Sequence, residues 1–208
     1  MAALEIICLS HYLFDEKMKE MNLDDNNVEN EKDKAFISII GTEECIKYWI
    51  CENDKHFFKD HPNVLNLEFD DIEDNVIYNG HLFETMRIAQ AEKTVDFIED
   101  VINKGVTTIY VHCRAGFSRS RAVSEFIWRY CKENDIEALY EDRNEYTTML
   151  NHGVLRLLNH AYWKKHHLIF YENENQQYPH DILEPNVRVI NRENNNDAYG
   201  YNRRYGKV

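Results

Sequence analysis

The segment that most limits what this chain can become runs from Val106 to Glu133. VTTIYVHC, residues 106–113, gathers β-branched and aromatic side chains with no charge before His112, which is the make-up of an interior strand. RAGFS follows. From Arg119 the apolar positions Ala122, Val123, Phe126, Ile127 and Tyr130 recur at helical spacing through 133. A buried strand that feeds an amphipathic helix through one short loop needs a parallel neighbour and a helical layer to cover it.

The rest of the chain supplies both. LEIICL (4–9), AFISIIG (35–41) and NVLNLEF (63–69) read as further strands. Helical spacing appears over 84–104, with Met86, Ala89, Ile98, Val101 and Ile102 on one side and Gly105 as its stop. A second long helix is expected over 144–163, through Tyr146, Leu150, Val154, Leu157, Leu158 and Ala161, with Gly153 in its middle. Thr42 can cap a helix carrying Cys45, Ile46, Trp49 and Ile50, but Cys45 at the third position denies it a capping box. Asp15 to Asp33 holds eight acids and three lysines and reads mostly as a solvated excursion, and a loop is expected at Asn79-Gly80. Strands alternating with amphipathic helices predict an α/β fold, a central mostly parallel β-sheet flanked by helices on both faces.

With 208 residues and 43% hydrophobic side chains, one domain can bury its own core. That domain is expected over 1–171. Residues 172–208, rich in asparagine, read as a flexible or loosely docked tail that Ile182, Leu183, Val187, Val189 and Ile190 can anchor in part. Five cysteines, an odd number without C-x₂-C spacing, point to reduced thiols and a cytoplasmic setting. The opening residues lack the pattern of a secretory leader, and no apolar run reaches the ~18 residues of a membrane span. Thirty-seven acids against 24 Lys and Arg give a formal charge of -13. No membrane partner is expected, and the acidic field disfavours extended nucleic acid while leaving room for one local electropositive pocket. The histidines show no metal-ligand spacing, so neither a metal nor another cofactor is expected.

The loop itself carries the chemistry. The strand delivers Cys113 to the carboxyl end of the sheet, where open α/β proteins bind ligands. Backbone N–H groups of Arg114, Ala115, Gly116, Phe117 and Ser118 can turn inward as an anion nest, and the following helix adds its positive end. Gly116 lets the chain bend back, and Arg119 offers a planar fork to two phosphate oxygens. The same surroundings favour the thiolate of Cys113. Ser120 can donate to the sulfur, and His112 is expected to orient the loop through hydrogen bonds. Arg114 either strengthens the field or points to solvent, Phe117 can wall the pocket, and Asn151 is a candidate to help hold an attacking water.

His112-Cys113-RAGFS-Arg119-Ser120 resembles the signature of the cysteine-dependent protein tyrosine and dual-specificity phosphatases: His-Cys, five residues, Arg, then Ser or Thr. The likeness covers roughly residues 4–165, in detail only 60–125, and is nearest to small microbial or viral dual-specificity members. It implies a phosphatase-like α/β fold and metal-free hydrolysis through a phosphocysteine, with a phosphorylated protein or peptide as substrate. Phosphate, vanadate or sulfate is expected to occupy the loop.

Such chemistry needs an acid for the leaving oxygen. Asp70, Asp71 and Asp74 follow NVLNLEF directly. Asp71 is the first choice, because Phe69 and Ile72 bracket the turn and because the family places its aspartate before such an isoleucine. Asp70 and Asp74 are the alternatives. Asp71 stands 42 residues before Cys113, farther than in compact family members, and the extra length is expected near 75–85 as an enlarged loop or extended helix start. The rival readings are a non-catalytic phospho-residue binding module, an RNA 5′-phosphatase, and a rhodanese-like sulfur transferase.

Overall fold

A computed structural model describes residues 3–49, 55–142, 150–166 and 187–190. Its centre is a five-stranded, wholly parallel sheet in the order β3-β2-β6-β1-β7. The strands are β1 (Leu4–Ser10), β2 (Lys34–Ile40), β3 (Val64–Glu68), β6 (Thr108–Cys113) and β7 (Ala138–Asp142). β6 lies in the middle with β1 and β2 on either side, and all six of its residues are buried. The α/β class with a mostly parallel central sheet is therefore as read from the sequence.

Alternation along the strands sorts side chains onto two faces. Ile6, Ile37, Leu67, Ile109 and Val111 meet α3 (Ile88–Asn103), α4 (Arg119–Glu133) and α5 (His152–Lys165) through Val95, Ile98, Phe126 and Leu158. Ile7, Leu9, Phe36 and Tyr110 face the other way, against Phe14 and Met18 of α1 (His11–Glu20) and Phe57. At about 25 cal/mol per Å² of apolar area, each such buried side chain contributes roughly 1.5–3 kcal/mol before entropy is subtracted.

The acidic stretch 15–33 is mostly exposed or half-buried, as read, but α1 and a few buried apolar side chains dock it on the sheet. α1 opens at His11, capped by Ser10, whose side chain accepts from the Leu13 amide at 3.3 Å. Phe14, Met18, Leu23 and Val28 are all buried. Four apolar residues spread thinly among charges suffice when each occupies the inward face. The helix expected from 144 begins only at His152, with Asn151 as its N-cap, so Gly153 sits in the first turn; residues 143–149 lie outside the described residues. β7 was not expected at all.

The added length between Asp71 and Cys113 is a hairpin, neither a plain loop nor a longer helix. β4 (Asn75–Tyr78) and β5 (His81–Phe83) pair antiparallel across Asn79-Gly80, whose φ angles of 49° and 82° suit a two-residue reverse turn. A parallel third strand, β8 (Val187–Ile190), completes this small sheet. β8 is the described portion of the expected tail; 172–186 and 191–208 lie outside the described residues. α2 (Glu43–Trp49) directly follows Thr42, whose hydroxyl accepts from the Cys45 amide at 3.3 Å without a capping box. Among the described residues no helix is long and apolar enough to cross a membrane.

Candidate active site

β6 ends at Cys113 and α4 begins at Arg119, so the five residues between them form a bend at the carboxyl edge of the sheet's central strand. The bend is braced from outside by the His11 amide, which donates to the Arg114 carbonyl at 3.1 Å. Gly116 has φ 79°, a left-handed conformation that a side chain would strain. That conformation turns its N–H back onto the Cys113 sulfur, 3.3 Å away. Ser120, fully buried in the first turn of α4, sets its hydroxyl 3.1 Å from the same sulfur. Arg114 and Ala115 are exposed, and Phe117 is half-buried.

Arg119 is 7% exposed. One terminal nitrogen donates to the Phe69 carbonyl at 2.7 Å, while its Nε–H is buried without an acceptor. No carboxylate pairs with it among the described residues. An unpaired guanidinium in a protein interior costs several kcal/mol, and buried charges persist where they are matched by an opposite charge. The free edge of this fork, beside a helix N-terminus and a bent loop, is suited to a tetrahedral oxyanion.

The three aspartates after β3 have separate surroundings. Asp70 is 2% exposed. Its carboxylate accepts from the Thr42 amide at 2.9 Å, the Thr42 hydroxyl at 2.8 Å and the Glu84 amide at 2.9 Å. These bonds tie the β3 end to α2 and close the base of the hairpin, so Asp70 is part of the framework. Asp74 is exposed and lines a cavity of about 500 Å³ with Glu73, His152, Arg156 and Trp163. Asp71 alone of the three touches the loop. One of its oxygens, Oδ1, accepts from the Ser118 hydroxyl at 2.6 Å and from the Asn151 side-chain amide at 3.0 Å.

One of these neighbours departs from expectation. His112 does not orient the loop by hydrogen bonds: both ring nitrogens are buried without a partner among the described residues, and the ring stacks on Phe14 at 4.0 Å. Alternation sends His112 to the face opposite Cys113, into the apolar cluster around α1. Burial above all, then the charges of His11, His56 and Arg119, hold its imidazole well below the ordinary histidine range. Asn151 caps Val154 through its side-chain oxygen at 3.0 Å, while its amide reaches Asp71 and the Ile72 carbonyl.

Cys8 is a further neighbour. Its sulfur donates toward the Ser120 hydroxyl and the Gly116 carbonyl, each at 3.4 Å. Parallel register sets Cys8 opposite Val111, two places before Cys113 and on the same face. No local motif announces that contact.

No family model and no curated protein matches the chain. Among solved structures, the crystal structure of a human tyrosine phosphatase-like serine/threonine/tyrosine-interacting protein aligns with a TM-score of 0.35 and 17% identity, covering 66% of this chain and 80% of that one.

Proposed function

We propose that the chain is a cysteine-dependent phosphomonoesterase acting on phosphoproteins, phosphotyrosine first and phosphoserine or phosphothreonine next. The observation that carries this reading is Arg119, a buried guanidinium with an unsatisfied Nε–H and no carboxylate partner among the described residues, immediately after a loop that folds an amide onto Cys113. A phosphoryl group held by that fork and by the loop amides lies over the sulfur. The sulfur lone pair forms the S–P bond as the P–O ester bond breaks, and the departing oxygen takes a proton from Asp71. Asp71, now a carboxylate, accepts a proton from water, whose oxygen attacks phosphorus. The S–P bond then breaks, and the Ser120 hydroxyl, 3.1 Å away, stabilises the sulfur as it leaves. The sum is ester plus water to alcohol plus phosphate, and no step calls on a group outside the chain.

Aryl phosphate hydrolysis in the presence of a chelator tests the proposal, with wild type, Cys113→Ser, Asp71→Ala, Asp70→Ala and Asp74→Ala. Cys113→Ser should abolish turnover, and vanadate should compete with substrate. Asp71→Ala should lower phenyl phosphate turnover by ~10²–10⁴-fold, the usual scale of general acid catalysis, with a smaller loss on nitrophenyl phosphate, whose leaving group needs less protonation. Near-normal turnover by Cys113→Ser overturns the mechanism. Tight phosphopeptide binding by wild type without phosphate release selects the binding-module reading in its place.

A further inference from the structure

Two donors converge on Asp71, and both choose the same oxygen. The Ser118 hydroxyl lies 2.6 Å and the Asn151 amide 3.0 Å from Oδ1, while Oδ2 has no protein donor among the described residues. Asn151 is itself fixed: it is 5% exposed, its side-chain oxygen accepts from Val154, and its backbone N–H donates to the Ser118 carbonyl at 3.4 Å. Its amide also approaches the Ile72 carbonyl at 3.5 Å, so it grips the acid loop by side chain and backbone together. The loop's other end is held where Arg119 bonds Phe69 and where Asp70 bonds Thr42 and Glu84.

We infer that Asn151, with Ser118, is the positioning residue of the acid. The pair fixes Oδ1 as a permanent acceptor, so the transferable proton resides on Oδ2. This rests on the reading of Asp71 as general acid. An oxygen that already accepts two hydrogen bonds is a poor place for a proton, because protonating it sets O–H against N–H and O–H donors. The oxygen left without donors is the one that can carry the proton toward a leaving group. The clamp also arrests carboxylate rotation, and fixing a reacting group in one orientation is worth a large part of a barrier.

Asn151→Ser separates positioning from folding. Serine caps helices about as well as asparagine, so α5 keeps its start while the amide donor to Asp71 is lost. Ser118→Ala removes the other donor without touching the backbone. With phenyl phosphate, each variant should lose ~10- to 10²-fold in kcat/KM, which covers only the steps through phosphoryl transfer to Cys113, on the scale of a misplaced catalytic group. With dinitrophenyl phosphate the loss should be under about threefold, since that leaving group needs little acid assistance. Combining either substitution with Asp71→Ala should add nothing on phenyl phosphate. Equal losses on both substrates, accompanied by a lower Tm, mark a purely structural role and overturn the inference. So does a leaving-group-dependent loss in Asp71→Ala with none in Asn151→Ser or Ser118→Ala; that result leaves Asp71 as the acid. If Asp71→Ala shows no leaving-group dependence, the acid assignment falls and the clamp with it. Should Asn151→Ser not fold, Ser118→Ala alone decides on the same criteria.

Discussion

Replacing His112 with phenylalanine probes how the interior handles an imidazole that makes no hydrogen bond. The ring stacks on Phe14 at 4.0 Å, and both nitrogens are buried without partners. Burial, reinforced by His11, His56 and Arg119 and opposed by Asp15, keeps the folded-state ring neutral well below the ordinary range. In the unfolded chain the same ring takes up a proton near pH ~6.5. Below that pH the unfolded state therefore binds more protons than the folded state, and stability falls as pH falls. With the folded ring kept neutral, moving from about pH 7.5 to about 5.5 removes on the order of 1 kcal/mol through His112 alone. The phenyl ring keeps the stack and has no nitrogen to protonate. Urea unfolding at the two pH values should show wild type losing on the order of 1 kcal/mol more than His112→Phe, or roughly 2–4 °C in Tm for a chain of this size. All other titrating groups cancel in the difference. Equal losses in the two proteins would refute the claim that the buried ring stays uncharged.

Phosphate or sulfate at about 100 times its Kd should stabilise wild type by ~2.7 kcal/mol in a thermal melt, and Arg119→Met should abolish that shift while keeping an apolar stem in place. Asp70→Ala leaves the Thr42 and Glu84 amides without their acceptor, and should cost ~3 kcal/mol or more in chemical denaturation. Asp71→Ala likewise takes the acceptor from the Ser118 hydroxyl and the Asn151 amide, at a lower cost of ~1–2 kcal/mol because Asp71 is half-buried and water can reach the gap. Gly116→Ala forces a side chain into a φ of 79° at a strain of ~1–2 kcal/mol, and the rotated amide should reduce kcat for every aryl phosphate alike. Burial pushes the Cys131 thiol up to about 11, so maleimide at neutral pH should leave Cys131 unlabelled in the folded protein; rapid labelling there would contradict its placement in the core.

The site was partly legible for a physical reason. A strand, a bend and a helix within one continuous segment position Cys113, Gly116, Arg119 and Ser120 by local geometry, so their spacing in sequence is nearly their spacing in space. The hairpin at 75–83 was legible in principle, since Asn79-Gly80 between NVIY and HLF is the residue pair that a two-residue turn favours. β7 left a fainter trace, Ile136, Ala138 and Tyr140 alternating over a few residues. Its identity as a strand depends on the β1 edge it pairs with. The start of α5 was misplaced because apolar spacing extends a helix past a cap that only a hydrogen bond reveals.

Sequence by itself determined the period of each element and therefore the parallel sheet, the bend at 114–118 and the residues it carries. Only tertiary structure decided which aspartate meets that bend, since Asp70, Asp71 and Asp74 are chemically alike and differ in what other segments bring to them. Thr42 and Glu84 claim the first, Ser118 and Asn151 the second, and solvent the third. The same holds for Cys8, placed two strand positions behind Cys113 by a register set across more than a hundred residues of chain. A hydrogen bond reaches about 3 Å, and along a chain that turns back on itself such closeness is a property of packing alone.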